Sequence, residues 1–170
     1  MAVIKPFKSI RPRKGLEDKI AALPYDVYNR SEAKQAVKDN PLSFLNIDRP
    51  ETQYDDDFDM YSDESYQTAA RLLDGMLERN EYIRDDKAYY YIYELTMNGR
   101  AQTGIVAVAS VDDYINETIK KHENTRADKE LDRIKHVDTL SKQTGPSFLA
   151  YKSNEAINSI VDKVKTTEPL

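Results

Sequence analysis

Apolar residues recur at steps of three and four between Ser62 and Asn80, and this spacing predicts an amphipathic helix. The positions that would face inward are Tyr66, Ala69, Ala70, Leu73, Met76 and Leu77. The same period predicts helices over 125–142 and 154–165. In the first of these, the expected inward positions are Leu131, Ile134, Val137 and Leu140. Shorter helices are expected within 16–23 and from an N-cap at Ser31 to about residue 40.

A β-hairpin is predicted over residues 88–111, because Asn98-Gly99 suits a tight turn that needs positive φ at both positions. The turn fixes the pairs as Met97 with Arg100, Tyr93 with Gly104, Tyr91 with Val106 and Tyr89 with Val108. Both faces carry apolar residues, so we expect the hairpin at the centre of a mixed sheet with helices on each side. Short strands are also expected at 3–7, 42–47 and 147–151. The predicted class is therefore mixed α/β (α+β), in a single domain over residues 1–170.

Composition narrows the function classes. Of the 170 residues, 39% are hydrophobic and 32% charged, with a net charge of −5, which argues against non-specific nucleic-acid binding. No apolar run approaches the roughly 20 residues of a membrane helix, and the first six residues do not resemble a signal peptide. Cysteine is absent, which fits the reduced cytoplasm. The acidic run at 55–59 lacks the spacing of a calcium loop, so residues 48–59 are expected to form a surface loop.

The segment His122–Arg126 combines a histidine, an acid and the start of a predicted helix. Helix N-termini attract anions because their first N–H groups lack partners within the helix. Arg126 and Lys129 fall in the first turn, where positive charge opposes the helix dipole and a bound phosphate would reverse that penalty. His122 could donate a hydrogen bond to that phosphate, while Glu123 could act as a base or bind a metal.

The same segment also has a purely structural interpretation. Thr125 and Asp128 resemble a capping box in which Asp replaces Glu or Gln. The other charges could form ordinary pairs one helical turn apart, such as Asp132 with His136. The residues alone leave both interpretations open.

Two further features allow a functional and a structural interpretation. The turn Pro24–Val27 offers Tyr25, which can be buried, and Asp26, which could act chemically or cap the nearby backbone. The tyrosines at 89–93 could stack on bases, but few basic residues lie near them, so core packing is favoured.

Several segments of the chain, taken in their order along the sequence, resemble those of a widespread prokaryotic family catalogued as domain of unknown function 1015. The matching segments are Ile4–Phe7, Pro24–Val27, Tyr89–Glu94, His122–Thr125, Asp132-Arg133 and Gly145–Phe148. Leu23 stands where the family usually has a second proline, and Gly145 stands where serine is common. The resemblance covers essentially the whole chain, and it is the order of the motifs that makes it specific.

The resemblance implies that this chain is the N-terminal part of a longer protein. The further C-terminal part of family members carries an Asp-Gly-His-His-Arg motif. That motif resembles the phosphate loop of the partition-protein-B and sulfiredoxin superfamily, which includes nucleotide-dependent free-serine kinases. A phosphate- or nucleotide-handling protein is therefore expected, as part of an ATP- or ADP-dependent small-molecule kinase using Mg²⁺. The residues expected to contact the phosphate ligand are Tyr25, His122, Thr125, Arg126, Lys129 and Arg133.

In that kinase, Glu123 or Asp26 would orient a hydroxyl group or hold Mg²⁺, and no resident metal site is expected. The alternative is a non-catalytic interaction or regulatory module with an exposed apolar patch. The partner of such a module would be the missing C-terminal half or a second copy of the chain. Nucleic acid and membrane are not expected as partners.

Overall fold

The computed structural model describes residues 2–122 and 125–169. The chain divides into two compact units. The first comprises Met1–Ser9, Arg84–Asn124 and Pro146–Leu170, and the second comprises Ile10–Ile83 and Thr125–Gly145. The expectation of a single domain over residues 1–170 stays a prediction.

Short antiparallel strand pairs and helices alternate along the described chain, which confirms the mixed α/β class. The helices are α1 (Glu17–Ile20), α2 (Arg30–Val37), α3 (Leu45–Asp48), α4 (Asp63–Glu78), α5 (Val111–Ile115), α6 (Ala127–Leu140) and α7 (Glu155–Lys165). The strands are β1 (Ile4–Lys5), β2 (Ile10–Pro12), β3 (Tyr82–Arg84), β4 (Tyr91–Met97), β5 (Arg100–Val106) and β6 (Val108–Ala109). Two 3₁₀ turns cover Tyr25–Val27 and Pro50–Gln53. None of the helices among the described residues is both long enough and apolar enough to cross a membrane.

The hairpin of β4 and β5 organises the first unit. Asn98 and Gly99 both have positive φ (51° and 76°), as the turn requires. The predicted register is confirmed from the pair at the turn to Tyr91 opposite Val106. The next predicted pair, Tyr89 with Val108, is wrong. The arms separate there, and the N-terminal segment takes over, with Phe7 bridging Tyr89 and β1 pairing with β6.

One face of this hairpin is open, which contradicts the expectation of cover on both sides. Tyr93, Leu95 and Met97 are 54%, 56% and 75% exposed. Helix α7 contacts β4, where Lys165 forms an ion pair with Glu94. The hairpin is therefore a two-stranded ribbon with its apolar surface only partly buried.

The second unit holds the larger core, where α4 packs against α3 and α6. Ser62 caps α4 by accepting a hydrogen bond from the Ser65 N–H. The predicted inward face of α4 is confirmed, because four of its six positions are buried and the other two pack against the core. The core cluster consists of Ile20, Ile47, Ala69, Leu73, Met76, Tyr82 and Leu140.

Two predicted strands are wrong. Residues 42–47 lead into helix α3, which buries its first three residues, because a short apolar run can suit either a strand or a buried helix. Residues 147–151 form no strand in the described structure, and Phe148 is 79% exposed. A strand needs a neighbour to satisfy its backbone groups, and none of the described strands pairs with this segment.

Three helix and loop details also differ from prediction. Helix α2 is capped by Asn29, which forms a capping box with Glu32, so Ser31 lies within the helix. In α6 the expected inward residues Leu131 and Ile134 are 62% and 55% exposed. The predicted surface loop at 48–59 buries Arg49, Pro50 and Glu51. In both α6 and this loop, polar residues occupy interior positions.

Candidate functional site

In the second unit, the α6 motif Asp132-Arg133 contacts the turn that contains Tyr25. The guanidinium of Arg133 lies over the Tyr25 ring, 4.5 Å from its centroid. Arg133 also donates to Asp132 Oδ2 from Nε and Nη2, at 3.1 and 2.8 Å. The Tyr66 hydroxyl donates to the other oxygen of Asp132 at 2.8 Å. Arg133 is therefore fixed by a carboxylate and by an aromatic face, and two separate motifs of the sequence meet there.

The Tyr25 turn is anchored from inside the unit by Arg49. Its Nη1 donates to the carbonyl oxygens of Tyr25 and Tyr28, at 3.1 and 2.7 Å. Its Nε donates to Glu51 Oε1 at 2.6 Å. The Arg49 and Glu51 side chains are only 9% and 1% exposed. Sequence reasoning missed both residues, since two charged groups in a polar stretch give no local signal of burial.

The start of α6 differs from the predicted capped helix. Arg126, rather than Thr125, is the N-cap residue, and no side chain caps the helix. Asp128 pairs with Arg126 instead of completing a capping box, at 3.1 and 2.9 Å. Lys129 donates to the Tyr61 hydroxyl at 2.9 Å. Asp128 therefore neutralises the charge of Arg126, whereas Lys129 bonds to a neutral hydroxyl and keeps its positive charge.

An open groove of about 740 Å³ runs along the outer face of α6. Its size is in the range typical of small-molecule sites. It is lined by Thr125, Glu130, Arg133, Ile134, Val137, Asp138, Ser141, Lys142 and Gln143. Two predicted ligand residues, Thr125 and Arg133, therefore share one groove, and the outward position of Ile134 gives that groove an apolar wall.

A buried histidine lies on α6 one turn beyond Arg133. His136 is 1% exposed, and its Nε2 lies 3.8 Å from Asp48 Oδ1, with no hydrogen-bond partner among the described residues. Burial, reinforced by the charge of Arg133, lowers the pKa of His136 to about 4. Burial raises the pKa of Asp48 to about 6, against the opposing effects of Arg133 and a hydrogen bond with Thr144. The interpretation of His136 as a surface partner of Asp132 is wrong, because its ring is in the interior.

Within the second unit, the predicted site residues Arg126 and Lys129 do not line this groove. Asp26 is exposed in the Tyr25–Val27 turn, and His122 is exposed in the first unit. Glu123 lies outside the described residues. Within the described ranges, no group of three or more His, Cys, Asp or Glu side chains could hold a metal ion.

This geometry defines the class as a mixed α/β protein in which an arginine is held in a fixed position beside an open groove. The family described as "Protein of unknown function (DUF1015)" matches residues 4–170. The chain belongs to this family, as the order of its motifs predicts. Searches of curated proteins and of solved structures found no match.

Proposed function

We propose that the protein handles a phosphate-bearing or nucleotide ligand, as part of an ATP- or ADP-dependent small-molecule kinase that acts on a serine-like hydroxyl in the cytoplasm. The contact between Tyr25 and Arg133 carries the proposal. It joins two sequence motifs beside a groove of suitable size, and it holds an arginine in a fixed orientation. Preorganised cations of this kind are the main means by which proteins stabilise a transferring phosphoryl group.

Arg133 has bonding capacity left for an anion. Its Nε and Nη2 bind Asp132, while Nη1 has no hydrogen-bond partner among the described residues. Lys142 also lines the groove and could neutralise a second charge, although it now pairs with Asp74 at 3.1 Å. The hydroxyls of Thr125 and Ser141 could donate to phosphate oxygens.

The remaining predicted residues take supporting roles in the proposal. Arg126 and Lys129 would contact phosphate by exchanging their present partners, which costs little because their contacts with Asp128 and Tyr61 are exposed to solvent. A hydrogen bond from His122 to phosphate stays a prediction from the sequence. Glu123 or Asp26 would orient the acceptor hydroxyl or hold Mg²⁺, which typically binds one or two carboxylates together with substrate phosphates.

Calorimetric titration of the full-length protein with ATP and ADP, with and without Mg²⁺, tests the proposal. Arg133→Ala should weaken binding at least tenfold, because it removes a charged group with a fixed orientation. Arg79→Ala is a matched control, since Arg79 is an exposed arginine that pairs with a nearby acid outside the groove. If wild-type protein binds neither nucleotide, the proposal is wrong.

The exposed apolar surface of the first unit favours a second candidate function, a non-catalytic interaction or regulatory module. Large exposed hydrophobic residues there include Tyr93, Leu95, Met97, Val111, Ile115, Phe148 and Ile160. Such surfaces commonly mark sites of protein contact. Light scattering on wild-type protein and Met97→Lys tests this function. A mass above that of one chain that falls in the variant would support it, and a single-chain mass for both would contradict self-association.

A further inference from the structure

We infer that Arg49, held by Glu51, is a positioning residue that orients Arg133 through the ring of Tyr25. The orientation itself can be tested without a ligand. Its effect on anion binding rests on the proposed function.

The burial of Arg49 and Glu51 is the first observation behind this inference. Their side chains are 9% and 1% exposed, and one hydrogen bond of 2.6 Å joins them. Taking two charges out of water offsets most of the attraction between them, and apolar residues of similar size often stabilise a fold equally well. An apolar pair could therefore give similar stability. It could not make the hydrogen bonds that Arg49 makes to other groups.

Those bonds go to the two ends of a single turn. Arg49 Nη1 donates to the carbonyl oxygens of Tyr25, the first residue of the turn Tyr25–Val27, and of Tyr28, which directly follows it. Glu51 accepts a hydrogen bond from the Nε–H of Arg49 and so restrains the guanidinium. The rigid geometry of arginine makes the three bonds mutually dependent. Any shift of Arg49 would therefore shift the backbone of Tyr25.

The Tyr25–Val27 turn restrains Arg133 through the ring of Tyr25. Tyr25 lies in the turn itself and is half-buried, with its ring against the guanidinium of Arg133 at 4.5 Å. Asp132 holds the same guanidinium along its Nε–Nη2 edge. Tyr25 provides the second constraint and orients the plane of the group. Without the Arg49 contacts, Asp132 would still hold the Nε–Nη2 edge of Arg133, but the plane of the guanidinium could rotate away from the Tyr25 ring.

Nuclear magnetic resonance of the Arg133 side chain gives a readout specific to positioning. The Nε–H signal can be assigned by its loss in Arg133→Lys, and Tyr25→Leu defines its position when the ring is absent. In Arg49→Lys and in Glu51→Gln the signal should move toward that position. Tyr25→Phe keeps the ring and should leave the signal close to its wild-type position.

Two controls separate positioning from general stability. Arg79→Lys alters another Arg–Glu pair two residues apart, bonded at 2.9 and 2.8 Å. The Arg79 side chain is exposed, so this variant should leave the signal unchanged. Leu73→Ala removes a buried side chain from the core and should lower stability without moving the signal. A folded Arg49→Lys with an unmoved Arg133 signal would overturn the inference. An equal movement of the signal in Leu73→Ala would overturn it as well.

Nucleotide affinity tests the functional consequence. Arg49→Lys should weaken ADP binding by up to about tenfold and by less than Arg133→Ala does, because Arg49 acts only through the orientation of Arg133. Should Arg49→Lys fail to fold, Glu51→Gln serves for both measurements. A moved Arg133 signal in a protein that never binds nucleotide would support the positioning role and refute the proposed function. A moved signal with unchanged ADP affinity would overturn the functional part of the inference.

Discussion

Replacing Asp48 with asparagine should change how the stability of the protein depends on pH. Asp48 and His136 lie 3.8 Å apart in the second unit, and burial shifts their pKa values in opposite directions. Other charged or titratable groups near the pair are Tyr66, Tyr82, Asp132 and Arg133. The substitution keeps the size of Asp48 and removes only its ability to ionise.

The titration of each group changes the free energy of unfolding in a defined direction as the pH falls. The folded protein holds the pKa of His136 at about 4, against an ordinary value of 6.5. The unfolded chain therefore takes up a proton first, and stability is lost as the pH falls from 6.5 to 4, by about 3 kcal/mol. The pKa of Asp48 is raised from 3.8 to about 6. Here the folded protein takes up the proton first, and stability is gained as the pH falls from 6 to 3.8, again by about 3 kcal/mol.

The two contributions nearly cancel in the wild-type protein, and Asp48→Asn removes one of them. At pH 7 the variant should be more stable than wild type by up to about 3 kcal/mol, because a buried charge has been removed. At pH 4 this advantage should have disappeared, since Asp48 is then protonated in the wild-type protein as well. The difference between the two proteins cancels the titration of every other group.

Urea denaturation followed by circular dichroism at several pH values between 4 and 7 measures this difference. His136→Gln is the complementary variant, and its stability relative to wild type should rise as the pH falls from 6.5 to 4. If the wild-type and Asp48→Asn stabilities run parallel across this range, the buried pair does not titrate as its environment requires and the reasoning is refuted.

Three further predictions concern the fold. Gly99→Ala should destabilise the hairpin by about 1 kcal/mol, because Gly99 has φ of +76°; an unchanged melting temperature would contradict this. Ser62→Ala should cost about 1 kcal/mol through loss of the α4 cap, measured by urea denaturation beside Ser62→Asn, which should largely preserve stability. Leu73→Ala should cost about 2–5 kcal/mol, and a loss below 1 kcal/mol would mean that the core collapses around the gap.

The sequence predicts elements well where local chemistry determines them. Asn98-Gly99 fixes the hairpin register for all seven pairs of β4 and β5, because the turn geometry leaves no freedom nearby. Beyond Tyr91 the prediction is wrong, since the N-terminal segment competes for the two arms. That competition depends on residues distant in the sequence, which local alternation does not report.

The candidate site shows the same division. The motif order indicated the family, and it marked Tyr25 and Arg133 separately. Their contact depends on how α6 meets a turn from the start of the chain, which periodicity does not show. Arg49 and Glu51 were missed because their burial is set by carbonyl groups on that same turn. The buried environment of His136 likewise depends on distant residues such as Asp48, so the local sequence gives no sign of it.

The inner face of α6 does not follow the apolar periodicity of its sequence. Leu131 and Ile134 face outward, while Asp132 and His136 face Tyr66 and Asp48. An apolar inner face would stabilise the unit more, because buried polar groups gain little unless they are fully paired, and His136 Nε2 lacks a partner among the described residues. The polar inner face therefore lowers the stability of the unit but lets Asp132 hold Arg133 in a fixed position. Arg133 lines the groove, and its charge also lowers the pKa of His136 and opposes the rise in the pKa of Asp48. Asp132 and His136 are poor core residues on the inner face of α6. They lie on the same helix as Arg133, the proposed anion-binding residue, and Asp132 holds its guanidinium.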